Sequence, residues 1–289
     1  MERDSKIGCS RAKLHCHCLA VDANGRVGLA RLAEFMRSCV VEYTIPRSRI
    51  QEARRYLEKY NSTRALSNLF EESKRTFTDL EKSGEGGELL LFLLAERLLL
   101  LPQVLCKMSL KTAERMHYHG ADGVYASVDD SGRLLLYWGE SKIYSKPEEA
   151  VRDCLSSLGP FLSEPDSEDA ARERDMLLLT DVANLEDASV LNAFRKYFDK
   201  TSPMSKRVRY CGIALVGFDA SYYPEENEEA VAEVLARETR AGLIRWSSLI
   251  SGRITAERLE RFDIHFFCLP LPSAVAFRTA FRRALGIIK

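Results

Sequence analysis

HGADGVYASVDDSGRLLLYWGESK, residues 119–142, is the stretch whose reading decides the fold. Its second half predicts a strand over residues 134–143. Successive strand side chains alternate between faces, so Leu134, Leu136, Trp138, Glu140 and Lys142 share one face and Leu135, Tyr137, Gly139 and Ser141 the other. A strand that is apolar on both faces belongs in the interior of a sheet covered on both sides. Only its end turns polar, at Glu140 and Lys142, about two strand residues or roughly 7 Å apart. Burying either charge alone is costly, so the two imply each other or a third group.

Residues 123–128 predict the preceding strand, and Asp129, Asp130, Ser131 and Gly132 the turn between the two. A hairpin closed by that turn brings Asp122 back to the end that carries Glu140 and Lys142. Two carboxylates and one lysine at a sheet end suit phosphodiester hydrolysis. Asp122 and Glu140 are hard oxygen ligands for Mg2+ or Mn2+, with the Ser141 carbonyl as a further ligand. Such a metal polarises the phosphate and generates hydroxide. Lys142 can orient the attacking water and offset charge on the phosphate. The structural alternative is a buried Glu–Lys or Asp–Lys ion pair that only pins the hairpin.

Upstream, residues 88–101 predict a helix that is hydrophobic on all sides, hence buried, and stopped by Pro102. Further out, strands are expected over 11–21, 103–110, 208–218 and 263–269. Helices are expected over 28–41, 47–60, 61–79, 146–158, 187–198, 225–248 and 273–285. The order is that of a mixed α/β fold, a sheet flanked by helices. An N-terminal strand and helical region over 1–86 would precede a core over 87–289, the two being separate or one continuous domain. The acidic stretch 163–175 is the best internal break.

The 289 residues are 46% hydrophobic, ample for one large core or two modest ones. Lysine plus arginine balances aspartate plus glutamate, 42 against 42, so any nucleic-acid contact must come from local patches. Two are visible: Lys107, Lys111, Arg115, His117 and His119 ahead of Asp122, and a denser run from Arg195 to Arg209. Either can equally be a solvated face. No export signal opens the chain and no run is long enough to span a bilayer, which predicts a cytoplasmic protein without membrane contact. His15, Cys16, His17 and Cys18 are consecutive; on a strand they split between two faces and cannot close a tetrahedral zinc site. His265, in an apolar strand, reads as a core histidine. There is no phosphate-loop motif, so the chain should not be its own ATP motor.

Asp122, a hairpin-length gap and Glu140-Ser141-Lys142 resemble the PD-(D/E)xK nuclease superfamily, with Ala121 where the motif has proline. More closely, GELLLFLLAERLLLLPQVLCKMSLKT at 87–112, GADGVY at 120–125 and LLLYWGESKIY at 134–144 resemble the HamA family. HamA proteins are the nuclease effector subunits of the bacterial Hachiman anti-phage system and work with a helicase subunit, HamB. The resemblance implies a PD-(D/E)xK-like core, metal-dependent cutting of DNA, a helicase partner and a place in antiviral defence. The superfamily often adds an acidic residue from a helix ahead of the core strands. Glu88 matches that position, and its other reading is a carboxylate stabilised at a helix N-terminus. Glu96 is a weaker candidate, better read as a paired charge. The competing functional reading is a non-catalytic DNA- or helicase-binding subunit that retains a nuclease-like fold.

Overall fold

The hairpin lies toward one side of the sheet. In the computed structural model, which describes residues 5–78, 83–105, 108, 120–163, 208–225 and 228–288, β4 (Gly123–Val128) pairs antiparallel with β5 (Leu134–Tyr144). The register runs unbroken from Val128↔Leu134 to Gly123↔Gly139. Asp129 closes the turn: its carboxylate accepts from the backbone N–H groups of Ser131 and Arg133 and from the Ser131 hydroxyl. Gly132 takes the left-handed conformation there, with φ 75°.

From β5 the sheet grows in parallel through β6 (Arg209–Asp219) and β7 (Ile264–Leu271) to β2 (Lys13–Cys16). β1 (Ser5–Lys6) and β3 (Gln103–Leu105) are antiparallel edges, giving among the described residues a seven-stranded mixed sheet ordered β1-β2-β7-β6-β5-β4-β3. β6 and β7 are buried almost throughout, as strands covered on both faces must be. The first strands of the chain thus extend the same sheet as the hairpin.

Helices cover both faces. One carries α6 (Pro147–Ser163) and most of α7 (Ala232–Ala256), packed on Trp138, Ala214, Val216 and Phe266. The other carries α1 (Leu29–Ser38), α2 (Val40–Thr44), α5 (Glu85–Leu98) and α8 (Ala274–Ala284), packed on Tyr125, Tyr137, Leu215 and Phe267. α3 (Arg47–Tyr60) and α4 (Arg64–Arg75) form an outer pair around Ala53 and Leu69, joined by the Arg49–Glu72 ion pair.

Most pattern-based elements among the described residues hold in type and shift at their ends; the strand expected over 103–110 pairs only over Gln103–Leu105, and Met108 is helical. The helix expected over 28–41 divides into α1 and α2 at Cys39, whose ψ of 3° leaves the helical region. The strand expected over 11–21 pairs only over Lys13–Cys16. The helix expected from residue 88 begins at Glu85, whose N–H is accepted by the Ser83 hydroxyl. It ends before Pro102, because Leu100 turns left-handed at φ 56°. Helix α6 runs past residue 158 and accommodates Pro160. The expected helix over 187–198 and the acidic stretch over 164–175 lie outside the described residues.

α5 crosses β5 closely at Gly139. A Cβ on Gly139 would stand 2.9 Å from Leu91 Cδ2 and 3.1 Å from Tyr125 Cε2. Gly139→Ala is therefore expected to cost about 1–3 kcal/mol through overpacking. A urea denaturation series checks it; an unchanged midpoint would show that Leu91 and Tyr125 yield freely and that helix and strand are not in tight contact.

Candidate active site

β4 ends one residue before β5 does its chemistry. With Gly123 paired to Gly139, Asp122 falls opposite Glu140, and β5 continues to Tyr144 without a strand partner on that side among the described residues. Asp122 takes the place of the missing strand. Its N–H donates to the Gly139 carbonyl at 2.9 Å, and its Oδ2 accepts from the Ser141 N–H at 2.9 Å and the Ser141 hydroxyl at 2.8 Å. Peptide groups alternate along a strand. Residues 139, 141 and 143 therefore turn theirs toward this open edge, and the Ser141 carbonyl faces the edge that Asp122 caps.

Glu140 and Lys142 lie on the neighbouring face, continuous with Leu134, Leu136 and Trp138, as alternation predicts. The Lys142 ammonium donates directly to Glu140 Oε1. The Glu140 side chain is 7% exposed and that of Lys142 23%. Asp122, Glu140 and Ser141 are all buried. The four residues singled out in sequence at 122, 140, 141 and 142 thus meet at one sheet end.

Burial alone would depress the Lys142 ammonium. The Glu140 carboxylate, through its charge and its hydrogen bond, outweighs this, and with Asp122 raises Lys142 above the ordinary lysine value. The side chain is an obligate cation at working pH, unsuited to act as a base. Beneath the site Cys154 Sγ donates to the Glu140 carbonyl at 3.4 Å. Its burial and the Glu140 charge push the thiol well above its ordinary value, so Cys154 is an inert packing thiol rather than a nucleophile.

Glu88 flanks this arrangement. The neighbouring Gly87 lies against the strand, since a Cβ there would meet Ser141 Oγ at 3.2 Å and Ile143 Cδ1 at 3.3 Å. Glu88 itself is half-buried and accepts from the Tyr43 hydroxyl at 3.2 Å. The first turn of α5 also holds Glu85, buried and accepting from the N–H and hydroxyl of Thr78. Glu96 is engaged by Arg47 and the Gln103 N–H, a paired charge as expected. His265, half-buried rather than in the core, hydrogen-bonds the buried His15 at 2.9 Å. Cys16 packs on the opposite face of β2 from His15. Lys107, Lys111, Arg115, His117, His119 and the basic run as far as Arg207 lie outside the described residues, while Arg209 pairs with Asp263.

Sequence reasoning missed Arg278. Its Nη1 donates to the Ile143 carbonyl at 3.0 Å, on the edge that Asp122 caps. An arginine 135 positions away in sequence gives no signal of this neighbourhood. Its only hint is that Arg278 and Arg282 stand one helical turn apart. A cavity of about 670 Å3 lies elsewhere, between the 17–35 segment, α5 and β6–β7, and none of the candidate residues lines it.

Among the described residues no three His, Cys, Asp or Glu side chains gather into a metal-binding group. What the sheet end offers is two buried carboxylates and a main-chain carbonyl, all oxygen. That set fits a hard divalent cation, which takes one or two carboxylates and keeps water in its other positions, and it does not fit zinc.

The charge state of Lys142 is directly measurable. Its raised pKa adds stability that is fully present below the unfolded-state lysine value of about 10.4 and is lost only as pH climbs through the higher folded value. At pH 9 an amine-acylating reagent should label Lys146, whose side chain is 71% exposed, well ahead of Lys142. Mass spectrometry of a partially labelled sample reads the ratio, and equal labelling would refute the tight Glu140–Lys142 pairing.

No helix among the described residues is long and apolar enough to cross a membrane. Comparison with curated proteins and with solved structures gives no match. The family model for HamA matches residues 3–285, nearly the whole chain and all of the site just described. The chain therefore belongs to the HamA family, which implies a role in Hachiman anti-phage defence with a partner of that system.

Proposed function

We propose that this chain is a metal-dependent nuclease that hydrolyses DNA phosphodiester bonds as the effector of its defence system. The observation that carries this reading is the meeting of Asp122, Glu140 and the cationic Lys142 at the open end of β5. Mg2+ or Mn2+ bound there would polarise the phosphate and lower the pKa of a water. Asp122 and Glu140 would hold it, with the Ser141 carbonyl as a third oxygen. Asp122 fixes that carbonyl by anchoring the N–H and hydroxyl of the same residue. Lys142, kept charged by Glu140, directs the water oxygen to phosphorus and offsets the negative charge that develops on the phosphate oxygens. The P–O bond to the leaving strand breaks, and solvent takes up the proton released by the water. Glu88, whose neighbour Gly87 lies against Ser141, would be a further acidic residue offered from α5.

The partner in this reading is the helicase HamB. The chain has no phosphate loop, so ATP-driven movement along DNA falls to that subunit. Docked over the open end of β5, the helicase would control when DNA reaches it.

Glu140→Gln and Lys142→Met keep side-chain volume while removing charge. Each is expected to lower plasmid cleavage in Mg2+ by about a hundredfold or more, the size of one lost transition-state contact. Either substitution leaves its partner's charge uncompensated, which costs about 3–5 kcal/mol of stability, so the fold of each variant is checked alongside its activity. Circular dichroism should show both variants folded. Cutting at the wild-type rate by either would sink the assignment. A folded wild-type chain that binds duplex without cutting, alone and with its partner, would favour the non-catalytic reading.

A further inference from the structure

Arg278 is a half-buried guanidinium whose one hydrogen bond, among the described residues, goes to the Ile143 carbonyl. No carboxylate among them pairs with it. Glu85, on the facing helix, is committed to Thr78. A partly buried cation without a counter-ion is electrostatically expensive, and an anion arriving from solvent would relieve it.

The position of this cation is specific. The Ile143 carbonyl lies on the same open edge of β5 as the Ser141 peptide that Asp122 caps, about two strand residues or roughly 7 Å further on. Gly86 brings the first turn of α5 against Phe277 and Phe281 on either side of Arg278, so the guanidinium is set between two packed helices. Arg278 and Arg282 line one wall of a small, mostly apolar groove running from this point, which Glu85, Thr78 and Phe281 also line.

We infer that Arg278 is a positioning residue that binds a phosphate of the DNA strand adjacent to the one being cut, and so sets the register of that strand on the site. The inference rests on the nuclease reading. An arginine fork suits it because one edge can stay on the Ile143 carbonyl while the other N–H groups take a phosphate oxygen pair.

Binding of a fluorescein-labelled duplex to the full chain, followed by anisotropy without divalent metal across a salt series, tests this apart from turnover. Arg278→Gln should weaken binding about tenfold, the size of one charged contact, and reduce the slope of log K against log salt by about one. Arg278→Lys, which keeps the cation, should keep the slope. In cleavage, Arg278→Gln should raise KM with little change in kcat, a split that loss of folding would not give. Should the glutamine variant fail to fold, duplex must still protect Arg278 of the wild-type chain from phenylglyoxal, read by mass spectrometry, while leaving the exposed Arg237 unprotected. Unchanged affinity and slope in Arg278→Gln, or no protection, overturns the role of Arg278 and leaves the nuclease reading standing. A wild-type chain that neither binds nor cuts duplex overturns both.

Discussion

Everything at the candidate site depends on the Asp122 carboxylate standing in for a strand that has ended. Where β4 stops, the β5 edge would expose the Ser141 N–H, and Oδ2 takes both that N–H and the Ser141 hydroxyl. Leaving two such buried donors unsatisfied would cost about 1–3 kcal/mol each. The same contacts do more than stabilise. They hold β5 straight for five residues beyond its antiparallel partner, keeping the register with β6 unbroken as far as Tyr144. Glu140 and Lys142 consequently emerge at defined positions on one face while the Ser141 and Ile143 carbonyls face the open edge.

The Glu140–Lys142 pair is the electrostatic counterpart of this constraint. Two carboxylates brought together in a buried place repel, and the cation between strand end and solvent offsets that cost. The price is that Lys142 is fixed as an ammonium, which narrows its chemistry to orientation and charge stabilisation. Cys154, buried beneath Glu140, supplies shape without reactivity. Arg278 places a second positive charge on the same edge from the far end of the chain. The sheet end thus carries two carboxylates and two cations, Glu140 and Lys142 on one face and Asp122 and Arg278 along the edge.

The hairpin was legible because its signals are local. Period-two alternation set the faces of β5, and Asp129 with Gly132 set the turn, so the convergence of Asp122 with Glu140 followed from counting residues. The mixed α/β class was legible for the same reason, from periods of two and of about three and a half along the chain. What the pattern does not carry is which distant segments pair. β2 lies parallel to β7 across some 250 positions, held by backbone bonds and by the His15–His265 contact, and no side-chain period encodes that choice. The break at Cys39 and the early start of α5 were hidden because both depend on tertiary packing, α5 on the close fit of Gly86 and Gly87 against α8 and β5. Arg278 was hidden in the same way: it is an ordinary surface-type residue of an amphipathic helix until the fold lays it on the Ile143 carbonyl.

The central claim is that the oxygen atoms gathered by Asp122 and Glu140 form a hard-cation site built on the cap of β5. Electron paramagnetic resonance of Mn2+ titrated with the chain tests it without turnover, because bound Mn2+ loses the sharp signal of the free ion. The account predicts saturable binding to the wild type that Mg2+ competes away. It also predicts loss of that binding in Asp122→Asn, whose amide oxygen can still accept from the Ser141 N–H and so preserves the strand end. Equal Mn2+ binding by wild type and Asp122→Asn, or no saturable binding by a folded wild-type chain, would contradict it.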